Sequence, residues 1–205
     1  MERTSGPWSV LKNASVYASF QDILGAEKAR TVVVKDNIRP FAGARVLDVG
    51  CGPCDLFVHL AGVRYVGVDR SADYISAARA RFGDRGEFIC ADVTDLPVSK
   101  EAQFDIAIAF GLLHHLTDDE VSGLVEEVAR RLAPGGRLIT LDPVFEDKQN
   151  LVARLLVSMD RGQHVRKADD YAALLGRSFG RVERRLHRHL IRVPYSHLVL
   201  EASAA

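Results

Sequence analysis

The chain has 205 residues, of which 47% are hydrophobic and 26% are charged, and its formal net charge is zero. This length suits one α/β domain with a substantial core, and the neutral charge gives no whole-molecule attraction to nucleic acid or anionic membranes. No apolar run reaches the roughly 18 residues that span a bilayer, the N-terminus lacks a signal-peptide core, and three cysteines make no disulfide framework, so we expect a cytoplasmic location.

Residues 8–39 contain two helical stretches ahead of the first strand. The second stretch places Ala29 and Val33 near one face, and Pro40 ends it. Five short apolar runs follow, bounded mostly by glycine or polar residues, which is typical of buried parallel strands. We expect these strands at 45–50, 65–69, 87–92, 104–110 and 136–142, with helices between them at 54–61, 72–82 and 119–133.

The regular alternation ends with the third of these helices and the fifth strand. That helix begins behind Thr117, with Glu120 three residues on, which is the pattern of a capping box, and it stops at "APGG". An apolar stripe over 148–159 then predicts an amphipathic helix, and "ADDYAALLG" predicts a shorter one. The end of the chain is predicted to form two strands, broken at Pro194, that pair as a hairpin at the sheet edge.

Polar and glycine residues follow the predicted strands at the edge where ligands bind in open parallel sheets. The loop Gly50–Gly52 follows the first strand, and glycine lets the backbone approach a ligand closely. Asp69 follows the second strand and can accept both hydroxyls of a ribose, while Asp92 follows the third and can accept from an adenine amine. With Asp48 near the turn and no lysine for a pyrophosphate, the pattern favours an adenosine ligand that carries positive charge.

Five stretches in order resemble the motif series of class I S-adenosylmethionine-dependent methyltransferases: "VLDVGCGPCDL", "YVGVD", "CADVTDLP", "FDIAIAFGLLHHL" and "LAPGGRLITLDP". The resemblance covers about residues 40–143. It implies a Rossmann-like α/β fold with a seven-stranded, mostly parallel sheet, a C-terminal antiparallel hairpin and helices on both faces. The chain is then one methyltransferase domain over 1–205, with an N-terminal helical cap (1–40), a cofactor-binding core (41–143), acceptor-site helices (144–180) and the terminal hairpin (181–205).

The same resemblance implies S-adenosylmethionine as cofactor and S-adenosylhomocysteine as product. Tyr17 lies ahead of the core, where its ring is expected near the sulfonium and the acceptor as a cation–π partner, or else as an anchor for an N-terminal helix. The implied contacts in the core are Asp48, Gly50, Cys51 and Gly52 around the methionine part, Asp69 on the ribose, Arg70, Asp92 and Val93 at the adenine, and Phe110 and Gly111 at the amino group.

The letters "CGPC" at 51–54 also fit a redox motif, because a Cys-x-x-Cys pair next to a βαβ unit is typical of thioredoxins. Gly50 stands where those proteins have an aromatic residue, and a redox site would leave Asp69 and Asp92 without a role. We therefore favour the cofactor turn. Cys54 is a departure from the resembling family, which usually has glycine there.

The acceptor side is predicted from two groups of residues. His114 and His115 follow the fourth strand, and an imidazole suits general base catalysis, although two adjacent histidines cannot both point into one pocket from a regular helix. In the polar stretch "DRGQHVR", Arg161, His164 and Arg166 are candidates to clamp an anionic acceptor, and a solvated connection is the alternative.

The sequence therefore predicts methyl transfer to a small molecule at oxygen or nitrogen. A non-catalytic S-adenosylmethionine-binding protein and a nicotinamide-dependent oxidoreductase are the alternatives. The arginine-rich stretch at 181–192 favours a charged sheet edge over nucleic-acid binding. Tyr195 and His197 could reach the pocket, but we interpret them as a packing and a surface residue. No zinc-ligand spacing is present, and the oligomeric state stays open.

Overall fold

One mixed sheet organises the chain in the computed structural model, which describes residues 25–99, 101–160 and 162–204. Its strands are β1 (Arg45–Val49), β2 (Arg64–Asp69), β3 (Glu87–Cys90), β4 (Phe104–Phe110), β5 (Leu132–Phe145), β6 (Arg166–Lys167), β7 (Arg181–His187) and β8 (His197–Ser203). Their order is β3-β2-β1-β4-β5-β8-β7, and β6 pairs with β5 outside this path. Strands β1 to β5 run parallel, whereas β8 is antiparallel to β5 and β7. The predicted α/β class with a terminal antiparallel hairpin is confirmed, and β6 adds an eighth strand.

Helices and short turns connect the strands and cover both faces of the sheet. They are α1 (Ala26–Val33), continued by a π-helical turn (Val34–Ile38), α2 (Ala72–Phe82), α3 (Asp118–Arg130), α4 (Leu151–Ser158) and α5 (Ala168–Leu175), with 3₁₀ turns at Asp55–His59, Gly83–Arg85 and Leu113–His115. Alternate residues of β1 point to opposite faces. Val46 packs with the side chains of α2 and the π-helical turn, whereas Leu47 and Val49 pack with those of α3 and α5.

The segment after the glycine turn differs from its prediction. Residues 54–61 were expected to form an α-helix, and the structure has a 3₁₀ turn at Asp55–His59 instead. Cys54 enters this turn in the left-handed region, and no side chain caps the turn's first N–H groups. Without a cap, so short a segment lacks the partners that stabilise the first turn of an α-helix.

The stretch "APGG" also differs, because it belongs to β5 rather than to a turn outside the strand. Helix α3 ends at Arg130, and β5 begins two residues later. Phe104 pairs with Leu132, but Ile106 pairs with Arg137, so the residues between Leu132 and Arg137 bulge out of the ladder. The bulge accommodates the extra residues of β5, among them the two glycines, and the rest of β5 keeps a regular register with β4.

A capping box fixes the start of α3, as the sequence predicts. The Thr117 N–H donates to Glu120 Oε2 at 2.7 Å, and the Thr117 hydroxyl oxygen accepts from the Glu120 N–H at 3.4 Å. The Leu113–His115 turn therefore lies in a short connection between the end of β4 and a fixed helix start.

Candidate active site

A cavity of about 1270 Å³ lies at the carboxyl ends of the parallel strands. Residues at the ends of β1, β2 and β4 line one side, and the end of α4 and the connection between β7 and β8 line another. Ligands bind at this position in open α/β sheets. The predicted cofactor residues that line it are Asp48, Gly50, Cys51, Gly52, Asp69, Arg70, Asp92, Val93, Phe110 and Gly111. Tyr17 lies outside the described residues.

The turn after β1 carries backbone rather than side chains into the cavity. Gly50 and Gly52 have φ angles of 71° and 54°, which glycine adopts without strain. A Cβ on Gly50 would lie 2.9 Å from the Leu112 Cδ1 methyl, so a larger residue would push against this neighbour. The Gly50 N–H donates to the Val68 carbonyl at 2.8 Å, which ties the turn to β2.

The carboxylate of Asp69 joins this turn to the start of α2. One oxygen accepts from the Gly52 N–H and the other from the Ser71 N–H, both at 2.8 Å. Each carboxylate oxygen has a second lone pair for another donor. Asp69 is therefore fixed in place and still able to accept hydroxyl groups from a ligand.

Asp48 is a buried carboxyl beneath the cavity, 2% exposed, and it accepts a hydrogen bond from the Tyr65 hydroxyl at 2.6 Å. Burial raises the pKa of Asp48 to about 7, since it outweighs the opposing effect of the Tyr65 hydrogen bond. A positively charged ligand nearby would favour the ionised carboxylate. The position therefore suits a cation better than an anion.

Asp92 and Val93 form a polar edge and an apolar surface side by side. Asp92 Oδ1 accepts from the Thr94 N–H at 3.0 Å and from the Thr94 hydroxyl at 2.8 Å. These two hydrogen bonds, the backbone one first, lower the pKa of Asp92, so it is ionised at neutral pH. Val93 is buried next to it. An adenine ring needs this combination of an acceptor at its amine and an apolar contact on its face.

Cys51 and Cys54 pack against β2. A Cβ on Gly67 would lie 2.9 Å from the Cys51 sulfur and 3.2 Å from the Cys54 sulfur. The hydrogen bond with Cys54, then burial, raises the pKa of Cys51, which leaves little of the reactive thiolate. Cys54 has a φ of 59°, the left-handed conformation in which glycine is usual. These contacts disfavour redox chemistry and explain why the resembling family has glycine at this position.

Both predicted catalytic histidines line the cavity, because they lie in a 3₁₀ turn rather than a regular helix. The two rings are 4.1 Å apart, centroid to centroid. His114 is buried and lies between two carboxylates: its Nδ1 is 2.8 Å from Asp142 Oδ1 and its Nε2 is 3.0 Å from Asp160 Oδ1. Both ring nitrogens of His114 are thus engaged.

The charge of His114 follows from these contacts. Burial by itself lowers the pKa of His114, but the hydrogen bonds to Asp142 and Asp160 outweigh it and raise the pKa to about 9. Burial likewise opposes ionisation of Asp160, and the hydrogen bond and charge of His114 lower its pKa well below the usual range. His114 is an imidazolium at neutral pH, so its ring has no lone pair to accept a proton from a substrate.

Sequence reasoning assigned no site role to four residues of this cavity wall or its support, although it noted that Tyr195 and His197 could reach the pocket. Asp142 lies inside the motif "LITLDP" on β5, where its place near a strand end was a signal of the same kind as Asp69. Asp160 follows α4 and accepts a hydrogen bond from the Tyr195 hydroxyl at 2.6 Å. His197 lines the cavity, and burial lowers its pKa to about 4, so it is neutral.

The predicted anion clamp is placed differently. Arg166 does not line the cavity. Its guanidinium donates to the carbonyls of Leu113 and Leu116 at 2.9 and 2.7 Å, and to Asp118 at 2.8 Å, so it ties its own segment to the histidine turn. His164 does line the cavity. Arg161 lies outside the described residues.

Two further findings concern residues 25–99, 101–160 and 162–204. No cluster of three or more His, Cys, Asp or Glu side chains there has the arrangement of a metal site. None of the helices in this part of the chain is both long and apolar enough to cross a membrane.

Known proteins resemble this chain in sequence and in fold. The profile of the methyltransferase domain family matches residues 46–136. O-methyltransferase cnsE of Penicillium expansum is 33% identical over 133 residues, which are 61% of this chain and 46% of that protein. Methyltransferase GfsG of Streptomyces halstedii is 30% identical over 171 residues, 77% of this chain and 60% of that protein. Residues 46–136 are thus similar to a methyltransferase domain, as the family match and both relatives indicate.

A solved structure has the same fold as this chain. The pyocyanin biosynthetic protein PhzM superposes with a TM-score of 0.75 at 19% sequence identity, over 98% of this chain and 62% of that chain. The chain spans about half the length of the curated relatives it matches, 46% of one and 60% of the other.

The residues of the cavity fit S-adenosylmethionine, the cofactor that the resemblance implies. Leu112 fills the space beside Gly50, but a Cβ on Gly52 would meet nothing within 4 Å, which leaves room for a ligand against the main chain of the turn. Asp48 is a buried carboxyl that a sulfonium or ammonium charge would ionise. Asp69 and Asp92 each retain acceptor capacity, as a ribose and an adenine amine require.

Proposed function

We propose that this protein transfers a methyl group from S-adenosylmethionine to a small molecule, at an oxygen atom. The observation that carries the proposal is one continuous cavity, which has adenosine-type contacts at Asp69 and Asp92 and a histidine–carboxylate group at its other side. The name of the relative cnsE, an O-methyltransferase, supports oxygen as the methylated atom.

The residues around the glycine turn hold and orient the donor. When bound, S-adenosylmethionine supplies a methyl group on a positively charged sulfur, and the electron pair of the broken C–S bond stays on that sulfur. The Gly111 N–H donates to the Leu141 carbonyl at 2.7 Å and is not available to a ligand, so we assign the ammonium to the carbonyls of Phe110 and Gly111. Orientation and exclusion of water are the main contributions a protein makes to such a transfer.

His115 is the group to which we assign the acceptor's proton. As the bond from the acceptor oxygen to the methyl carbon forms, the hydroxyl proton passes to the imidazole of His115. This assignment follows from the neighbouring ring, because His114 donates from both of its nitrogens and cannot take a proton. His115 lines the same cavity on the same turn.

Production of S-adenosylhomocysteine tests the function. Incubation with S-adenosylmethionine and a panel of phenols should yield S-adenosylhomocysteine and a methyl ether, detected by mass spectrometry. A non-catalytic binding protein would bind the cofactor and yield neither product with any member of the panel, and that outcome would refute the proposal.

Asp69→Ala should weaken S-adenosylmethionine binding by about tenfold to a hundredfold, because it removes charged hydrogen bonds to the ligand and to the turn. Calorimetry measures this effect. Asp84→Ala, at an exposed residue that does not line the cavity, is the matched control and should leave the affinity unchanged. An unchanged affinity for Asp69→Ala would contradict the ribose role.

We also propose that the protein works in the cytoplasm. Cys51, Cys54 and Cys90 are all free thiols, as a reducing compartment maintains them. Localisation of the tagged full chain by fractionation tests this, and a membrane or secreted fraction would contradict it.

A further inference from the structure

The cavity extends beyond the cofactor contacts into a part with apolar walls, which we call the acceptor half. Its walls come from the end of β5, from α4 and from the connection between β7 and β8. The side chains that form them are Pro143, Leu156, Met159, Leu190, Ile191 and Val193. Walls of this kind favour a ligand with much apolar surface and few polar groups.

The polar groups that line the acceptor half, together with the buried Asp142 behind His114, carry net negative charge. The carboxylates of Asp142 and Asp160 flank a single imidazolium, His114, and the nearby His197 is neutral. An anion placed among these groups would be repelled, and a charged group of either sign would lose its hydration against the apolar walls.

No lysine or arginine among the described residues lines the acceptor half to offset this charge. The two described arginines that line the cavity belong to the cofactor side: Arg30 pairs with Asp55 at 3.4 Å, and Arg70 follows directly after β2. Arg166 is bound to the histidine turn instead.

One oxygen of Asp160 has capacity for a ligand. Its Oδ1 accepts from His114 Nε2 at 3.0 Å and from the Gly162 N–H at 2.9 Å, while Oδ2 accepts from the Tyr195 hydroxyl at 2.6 Å and from no other of the described residues. Oδ2 therefore keeps a lone pair on a partly exposed side chain that lines the cavity. We propose that the methyl acceptor is an uncharged, largely apolar molecule whose hydroxyl donates a hydrogen bond to Asp160 when it binds, and turns the same proton to His115 only as the methyl group is transferred. This proposal rests on the methyltransferase function proposed above.

His114 is the positioning residue for Asp160. The connection after α4 lies directly against the His114 ring, since a Cβ on Gly162 would lie 2.0 Å from His114 Cδ2. The His164 N–H donates to the His114 carbonyl at 3.0 Å. Glycine at 162 allows this close approach, so the imidazolium holds the carboxylate at the cavity wall.

Four small aromatic probes separate the chemical classes of acceptor. para-Cresol, para-hydroxybenzoate and tyramine share a phenolic hydroxyl and differ in charge, while para-methylanisole is uncharged and lacks the hydroxyl donor. Calorimetry measures their binding to the full chain loaded with S-adenosylhomocysteine. We expect para-cresol to bind at least about tenfold more tightly than each of the other three. Asp160→Asn should remove most of the difference between para-cresol and para-hydroxybenzoate.

Equal or tighter binding of either charged phenol would overturn the proposal, and so would absence of binding by all four probes. Arg161 directly precedes Gly162 in the sequence and is one of the residues predicted to bind an anionic acceptor. The binding of para-hydroxybenzoate is therefore measured with Arg161→Ala as well. Tight binding of this anion that the substitution abolishes would overturn the proposal in favour of an anion clamp. Failure of S-adenosylhomocysteine itself to bind would refute the proposed function instead, so the two failures are distinguishable.

Two variants test whether His114 positions Asp160. His114→Gln and Gly162→Ala should each weaken para-cresol binding by about tenfold and leave S-adenosylhomocysteine affinity within about twofold. Gly123→Ala is the control, because a Cβ at this exposed position on α3 meets nothing within 4 Å. Unchanged para-cresol affinity with lost turnover in His114→Gln would identify a general base and overturn the role. Loss of S-adenosylhomocysteine binding in both variants would overturn it as well.

Discussion

His114 illustrates how a position in the sequence suggests a residue's importance while its contacts decide its chemistry. Its place after the fourth strand predicted a general base. A general base needs a free lone pair on a ring nitrogen. Asp142 and Asp160 accept hydrogen bonds from the two ring nitrogens and so keep a proton on each of them. Neither carboxylate is near His114 in sequence, so the charge of the ring was not predictable from the motif "GLLHHL".

The protonated His114 should make the stability of the fold depend on pH. Its pKa is about 9 in the folded protein and 6.5 in the unfolded chain, so the stabilisation is complete below about pH 6.5 and is lost as the pH rises through about 9. The effect is on the order of 3 kcal/mol in the free energy of unfolding. Urea unfolding of wild type and His114→Gln from about pH 6 to about pH 10 measures it.

The difference in the free energy of unfolding between wild type and His114→Gln should shrink by about 3 kcal/mol as the pH rises across this range. Parallel pH profiles of the two proteins would contradict a protonated His114. The titratable groups that face or adjoin the ring come from four segments, namely His115, Asp142, Asp160, His164 and Tyr195.

The ionisation of Asp48 should make the affinity for S-adenosylmethionine depend on pH. Its folded pKa is about 7, and a bound cation favours the carboxylate, so S-adenosylmethionine affinity should rise with pH and level off above about pH 7. The rise is at most about tenfold per pH unit. Calorimetry between about pH 5 and pH 8 measures it, and Asp48→Asn should remove the slope. A slope that survives in Asp48→Asn would assign the proton to another group.

At the scale of elements, α3 offers two substitutions with opposite expected effects. Thr117→Ala removes one half of the capping box and should lower the free energy of unfolding by about 1 kcal/mol. Gly123→Ala, inside the helix with open space around its Cβ, should raise it by about 0.5–1 kcal/mol. Denaturant unfolding of the two variants and wild type measures both. A destabilised Gly123→Ala would show that the position is crowded.

Elements with strong local signals were predicted closely, and elements shaped by their neighbours were not. Helix α2 and strand β4 have the predicted bounds, 72–82 and 104–110. The turn at 55–59 and the length of β5 depend on tertiary context: the left-handed Cys54 and the register shift against β4. Neither feature leaves a periodic trace in the sequence.

For the molecule as a whole, the cofactor side of the cavity was predictable and the acceptor side was not. The cofactor residues follow consecutive strands, whose carboxyl ends must meet at one edge of a parallel sheet. The acceptor side combines residues from β5, α4 and the β7–β8 connection, which no single periodic pattern links. The basic stretch at 181–192 also changes meaning in three dimensions, because Arg184, Arg185 and Arg188 pair with carboxylates.

The cofactor residues lie at the ends of central strands, so ligand binding should stabilise the entire sheet. A ligand at about a hundred times its dissociation constant adds about 3 kcal/mol to the free energy of unfolding. For a chain of this size that raises Tm by about 5–10 °C. Differential scanning calorimetry should show this shift with S-adenosylmethionine and none with NAD, whose pyrophosphate meets a turn that holds the carboxyl of Asp48 and no lysine. Asp69→Ala should reduce the shift, since it lowers the affinity without removing a core side chain. A shift with NAD and none with S-adenosylmethionine would favour the oxidoreductase alternative and contradict the cofactor contacts described for Asp48, Asp69 and Asp92.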